Sequence, residues 1–325
     1  MKKLFFIFFS LLILVGCGKN EENVLEKVEK KIKDAKSYQL NGILAISRGN
    51  DEYTYDVSCS YMSNDYFRVS LINKVNNHEQ IILRNDTGVY VITPSLNKSF
   101  KFESDWPYNN SQVYLLQTIL SDIKNDPDYS MTKDKDYYIF KSKVNYTNNN
   151  NLAYQKVYVD ANYDIIMVEV YDNNDNVLIT MNINDINYKA NFDDNYFALN
   201  AEYTTKLDKT AKEINDVVYP MYIPANTYLT NQETITTSSG ERVILTFDGD
   251  SSFMLVEETI SIPSELETNM VYGEPDIILD TVGYITDYSV SWMSNGYEYY
   301  LVSNDMSNEE MMNVAASMSV MPVGK

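Results

Sequence analysis

Ser37-Tyr38-Gln39-Leu40-Asn41-Gly42-Ile43-Leu44-Ala45-Ile46, followed after a polar break by Tyr53-Thr54-Tyr55-Asp56-Val57-Ser58-Cys59-Ser60-Tyr61, is where the period of the chain changes from helical to alternating. Tyr38, Leu40, Gly42, Leu44 and Ile46 share one side of the first segment. Tyr53, Tyr55, Val57, Cys59 and Tyr61 share one side of the second, with Thr54, Asp56, Ser58 and Ser60 opposite. Successive side chains of a strand point to opposite faces, so the pair reads as two strands with a common apolar face. The break at 47–51 has the length and residue types of a hairpin link. Going outward toward the C-terminus, further strands are predicted at 67–72, 80–84, 89–93 and 99–102, separated by turn residues such as Ser63-Asn64-Asp65 and Asn85-Asp86-Thr87-Gly88. Six short strands on hairpin-length links predict an antiparallel meander.

Toward the N-terminus, Val24, Leu25, Val28, Ile32 and Ala35 recur at helical spacing, with Lys27, Glu29, Lys30, Lys31 and Lys33 on the other face. Such a stripe can lie on a membrane or on a protein, and on a short helix it is more often core-facing. Gly18 to Asn23 reads as a polar tether, and before it Lys2-Lys3 precede LFFIFFSLLILV at 4–15, in which only Ser10 is polar. That is the layout of a secretory signal, and it falls short of the ~20 apolar residues that a spanning helix needs. Leu14-Val15-Gly16-Cys17 resembles the lipobox of bacterial lipoproteins. The resemblance implies that 1–16 is removed as a signal peptide, with 17–23 as tether. Cys17 then carries a diacylglyceryl group that holds the protein on the outer face of the cytoplasmic membrane. Two or more acyl chains anchor a protein stably where one gives marginal binding.

Composition agrees with that address. The formal net charge of −20 moves to −22 when Lys2 and Lys3 leave with the signal. A chain this acidic is repelled by nucleic acid and by anionic lipid, so no nucleic-acid partner is expected, and the anchor must hold it at the membrane. With Cys17 acylated, Cys59 is the remaining thiol, and no intramolecular disulfide can form. At 325 residues, with 28 Tyr against 11 Gly and 8 Pro, the chain has room for two strand-rich domains.

Past the meander, Trp106-Pro107-Tyr108-Asn109-Asn110-Ser111 leads to a second predicted helix. It carries Val113, Leu116, Ile119, Leu120 and Ile123, is capped at its start by an Asn or Ser, and stops before Pro127. Strands resume at 137–142, 154–159, 165–171 and 177–183. A helix, a meander, an inserted helix and a second meander suggest an α+β fold: a curved antiparallel sheet, or half-open β-barrel, wrapped around helices. The order of elements, the Trp106-Pro107 entry and the closing run Asp185-Ile186-Asn187-Tyr188-Lys189-Ala190-Asn191-Phe192-Asp193-Asp194-Asn195-Tyr196-Phe197 resemble the LolA-like lipoprotein-carrier superfamily over 24–200. Within it, the similarity is to the lipid-anchored sporulation and germination branch of Gram-positive bacteria. After a polar stretch at 200–210, strands are predicted at 233–237, 242–247, 252–260, 282–286, 289–293 and 298–302. A capping box at Ser307-Asn308-Glu309-Glu310 then opens a last helix. Residues 201–325 read as a second, smaller α+β domain. Trp292, Asn295-Gly296, Tyr299 and the capped helix resemble a small C-terminal domain of unknown function found in extracytoplasmic sporulation proteins.

The residue inventory points away from catalysis. His78 is the single histidine and lies in a loop, so a Ser-His or Cys-His pair has one place to form, and zinc ligation by several His and Cys is excluded. Asp172-Asn173-Asn174-Asp175-Asn176 has alternating oxygen ligands but lacks the Gly and late Glu of a calcium loop, and reads as a hairpin turn. Cys59 reads as a buried apolar residue, with a pairing thiol in a homodimer as the alternative. No enzyme activity, cofactor or metal is expected. Two functions fit the resemblance. One is a non-catalytic scaffold or interaction lipoprotein of the envelope, whose branch implies a protein partner such as a cell-wall amidase. The other is a binder of lipid acyl chains or another apolar ligand on the concave face, with Tyr55, Val57, Phe67, Val69, Leu71, Ile81 and Leu83 as the candidate lining.

Overall fold

The computed structural model describes residues 18–48, 51–199, 214, 216–236, 240–278, 281–294 and 296–320. The first element among the described residues is helix α1 (Gly18–Asp34), which starts where the tether was expected. The first meander comprises β1 (Ser37–Arg48), β2 (Asp51–Met62), β3 (Tyr66–Asn73), β4 (Glu79–Asn85), β5 (Gly88–Thr93) and β6 (Lys98–Phe102). Helix α2 (Leu116–Asn125) follows, and then the second meander of β7 (Ser130–Asp134), β8 (Tyr137–Lys143), β9 (Leu152–Val159), β10 (Ile165–Asp172) and β11 (Val177–Asn187). β11 pairs with β1, joining the two meanders into one antiparallel sheet in the order β6-β5-β4-β3-β2-β1-β11-β10-β9-β8-β7. The join requires a glycine: a Cβ on Gly42 would overlap the carbonyl oxygen of Asn182 and lie 2.7 Å from Met181 Cε.

The sheet curls around the two helices. Val24, Leu25, Val28, Ile32 and Ala35 are all buried, so the apolar stripe of α1 faces the protein. Burying side chains of this size contributes up to roughly 1.5–3 kcal/mol each. The basic face is engaged as well. Lys27 Nζ donates to the Tyr163 hydroxyl (2.9 Å), Lys31 pairs with Asp164 (2.5 Å), and Lys124 of α2 reaches Glu29. α2 begins three residues later than Val113 and has no side-chain cap from Asn or Ser. Instead Thr118 Oγ1 bonds back to the carbonyls of Gln112 and Leu115, and Val113, Tyr114 and Leu115 enter the core from the segment before the helix.

The remaining chain builds a seven-stranded antiparallel sheet from β13 (Thr227–Thr236), β14 (Glu241–Gly249), β15 (Phe253–Thr259), β17 (Glu274–Ile278), β18 (Thr281–Ile285), β19 (Ser289–Ser294) and β20 (Tyr297–Val302). Its order is β13-β14-β15-β20-β19-β18-β17. Helix α3 (Asn308–Ala315) lies against it, opened by the expected capping box on Ser307 and Glu310. β12 (Val218–Pro220) pairs with β21 (Met318–Val320) as a small separate ribbon.

One strand from this half crosses over. β16 (Glu267–Val271) pairs in parallel with β6, extending the first sheet to twelve strands. Gln80 of β4 fastens the halves together. Its Nε2 donates to the Val282 carbonyl (2.9 Å), and its Oε1 accepts from Thr281 Oγ1 (2.9 Å) and from Val282 N–H. Asn97 Nδ2 to the Pro263 carbonyl (2.9 Å), Lys98 to Glu298 (3.2 Å) and the packing of Phe100 and Phe102 on Tyr284 continue the seam.

Candidate functional site

The concave face is set by register. Across β1, β2 and β3, Leu40 faces Cys59 and Val69, Gly42 faces Val57 and Leu71, and Tyr38 faces Tyr61 and Phe67. Directly paired residues share a face, so Tyr55, Val57, Phe67, Val69 and Leu71 point inward together. Ile81 and Leu83 do not join them. β3 pairs Val69 with Ile82 and Phe67 with Arg84, which sends Ile81 and Leu83 to the convex side. There they form a separate core with Tyr90, Ile92 and Phe197, roofed by Phe192 and Tyr196 of the closing segment. The reason is visible in the strand itself: Gln80-Ile81-Ile82-Leu83 is buried on both faces, so apolarity does not reveal which residues point in.

The inward residues form a filled core. Tyr55, Val57, Phe67, Val69 and Leu71 are each at most 3% exposed and share one cluster with Val28 and Ile32 of α1, Leu116, Ile119 and Ile123 of α2, and Trp106. None of the seven residues chosen from the sequence is among the residues that line the cavity at the end of the half-barrel.

This cavity lies where the second half closes over that end. Its volume is about 370 Å³, and it is walled by the end of β1, Ile82 of β4, the segments before α2 and β9, Leu178 and Ile179 of β11, β17 and α3. Leu44, Ile46, Ile82, Val113, Ile179 and Ile277 give it apolar walls. Arg48, Asn110, Gln112, Asn148 and Asp276 make the remainder polar, and exposed Asn151 and Asn313 stand at the edge. Two buried polar atoms on this wall have no hydrogen-bond partner: Arg48 Nη1, a donor, and Asn110 Oδ1, an acceptor. Asp276 accepts from Asn148 Nδ2 (3.3 Å) and from the Ile277 N–H (2.8 Å). Burial raises the carboxyl pKa of Asp276, against the pull of these hydrogen bonds and of Arg48. Burial also lowers the guanidinium pKa of Arg48, against the pull of Asp276. Arg48 had a sequence signature, because it continues the inward register of Leu44 and Ile46 and places a cation at an apolar position. Asp276 had none, since Glu274-Pro275-Asp276 carries a proline that does not read as a strand.

The other sequence candidates separate cleanly. Cys17 lies outside the described residues. Cys59 is fully buried and unpaired, and burial pushes its thiol up to about 12, so it cannot serve as the pairing thiol of a homodimer. Asp172 caps its own turn, accepting from the N–H groups of Asn174 and Asn176 (both 2.8 Å) and from Asn176 Nδ2 (2.9 Å). Asp160 does the same for Asn162 and Asp164 (both 2.9 Å), so both loops are hairpin turns. Among the described residues, no group of three or more His, Cys, Asp or Glu is placed to hold a metal ion. None of the described helices is long and apolar enough to cross a membrane.

A curved antiparallel sheet around two helices, with a second lobe closing one end over a polar-lined cavity, defines a two-lobed half-barrel protein. Comparison with known proteins adds a relative: over 316 residues the chain is 34% identical to the sporulation protein YdcC of Bacillus subtilis (strain 168), covering 95% of this chain and 94% of that protein. The chain belongs to the family of that sporulation protein. No family model matches the sequence. Among solved structures, the Pseudomonas aeruginosa MucA/MucB complex is similar at a TM-score of 0.35 and 13% identity, over 94% of this chain and 100% of that one. The complex of the CwlD amidase with the GerS lipoprotein from Clostridioides difficile gives a TM-score of 0.33 and 15% identity, over 52% and 96%. These likenesses are loose, and the architecture stands on its own strand order.

Proposed function

We propose that the chain is a lipid-anchored extracytoplasmic protein that acts in sporulation as a non-catalytic interaction partner in the cell envelope. The observation that carries this reading is the filled half-barrel. Tyr55, Val57, Phe67, Val69 and Leu71 are covered by α1 and α2, so a carrier of acyl chains on the concave face would have to expel both helices. Membership of the family of a sporulation protein supplies the process. The sequence supplies the anchor: Cys17 follows a short apolar segment and a small residue, and its acylation holds an acidic protein on a surface that would repel it. The partner is an envelope protein, with a cell-wall amidase the first class to test, as the sequence resemblance implies.

Cys17→Ala tests the anchor. The variant is expected to leave the membrane fraction with its fold intact by circular dichroism, and persistence at the membrane overturns the anchoring role. Mass spectrometry of lipid extracted from the released protein tests the interaction role. No stoichiometric lipid is expected, whereas one bound acyl lipid per chain would establish the carrier reading.

A further inference from the structure

The cavity at the lobe junction carries chemistry that a protein–protein scaffold does not use. Arg48 and Asp276 bring opposite charges to one wall without pairing: Arg48 Nη1 has no partner, and the Asp276 oxygens are bonded to Asn148 and to backbone N–H. Asn110 adds an acceptor, Oδ1, that is also buried and unpartnered. A buried polar group without a partner costs about 1–3 kcal/mol, and a native fold that retains two within the wall of one cavity has a use for them. An acyl chain would leave all of these atoms dry. A simple anion would satisfy Arg48 but bring nothing for Asn110, and it would face the Asp276 carboxylate.

We propose that this cavity binds a small peptide zwitterion, with its carboxylate on Arg48, its N–H or ammonium group on Asn110 and Asp276, and its side chains against Ile46, Ile82 and Ile179. The volume of about 370 Å³ lies at the low end of small-ligand sites, which suits a ligand of dipeptide size. Most of the wall comes from the first lobe, and Pro275, Asp276, Ile277, Met312 and Asn313 of the second complete it, so the site exists only in the assembled chain. The carboxylate-to-Arg48 contact is the charge-assisted one and dominates affinity. Asn148 is a positioning residue: it donates to Asp276 and accepts from Asn308 Nδ2 (3.2 Å), tying the carboxylate to the α3 side of the wall.

The test is calorimetric titration of the full-length chain in detergent with L-leucyl-L-leucine and, separately, with its C-terminal amide. The zwitterion is expected to bind saturably at one site per chain, and the amide about tenfold more weakly, a difference of about 1.4 kcal/mol. Arg48→Met should weaken the zwitterion to the level of the amide and leave the amide unchanged. Ile179→Trp should abolish both by filling the cavity, with thermal unfolding as the check that each variant is folded. The comparison of acid with amide on the unaltered chain stands even if a variant fails to fold. Equal affinity for the two forms, or no saturable binding up to about 10 mM zwitterion, overturns the proposal and leaves the cavity as a hydrated packing gap.

Discussion

Glu257, in the interior of the second sheet, has none of its surface exposed. Its Oε1 accepts from the Val218 N–H (2.8 Å), and its Oε2 has no partner. Burial pushes its carboxyl up to about 8, against the single backbone hydrogen bond. Between the ordinary carboxylate value and about 8, the folded chain therefore holds a proton that the unfolded chain has released. Stability falls as pH rises through that window and levels off above it. Glu257→Gln keeps the acceptor for Val218 and removes the ionisation. Urea unfolding at pH 5 and pH 8 should show the variant gaining stability over the parent at pH 8, on the order of 2 kcal/mol, and little at pH 5. An equal effect at both pH values would rule out ionisation as the cause. The group resembles Arg48 in being a charge-capable side chain on an apolar register. It differs in facing a strand edge, β12, where burial holds it neutral although a backbone N–H bonds one oxygen, and not a cavity.

At the scale of elements, the join between β1 and β11 depends on one missing side chain. The two strands shift register between Asn41 and Gly42, bringing the Asn182 backbone against Gly42. Gly42→Ala should cost about 1–3 kcal/mol by overpacking at a site where the obstacle is backbone. Urea denaturation would read the loss, and a cost near zero would mean that the strands can part to admit a methyl group. Gly42 was legible in the sequence as an inward position, though not as a close approach, because its neighbour lies 140 residues away. The same division runs through the fold. Strands with one wet face, such as β2 and β3, announced their register. β4, dry on both faces, did not. β7 is a mostly exposed polar edge, and Pro275 in β17 is tolerated because that strand is also an edge. Neither carried the apolar alternation from which strands are read. The stripe of α1 and the capping box of α3 are local in sequence and were readable. The late start of α2 was not, because Val113 to Leu115 are apolar in either conformation. Of the cavity, only Arg48 left a trace, since its walls converge from both lobes.

For the whole molecule, the seam between the lobes governs whether that cavity exists. Gln80 imitates a strand edge, offering one donor and one acceptor to Val282 as a backbone would. Gln80→Leu preserves bulk and leaves the Val282 N–H and carbonyl buried and unpaired, so the chain should lose about 2 kcal/mol. Hydrogen exchange at the Val282 amide should accelerate while amides of β2 and β3 stay protected. Uniform acceleration would mean that the two lobes open as one unit. The crossover of β16 has a consequence in time. A chain made from its N-terminus completes β6 at residue 102, and the strand that will cover its edge begins only at residue 267. While the intervening residues emerge, β6 presents an unpaired edge, the feature through which nascent sheets join the wrong neighbour. Lys98 and Lys101 within β6 place charge on that edge for the interval, so this short strand carries its own protection against mispairing until the second lobe arrives.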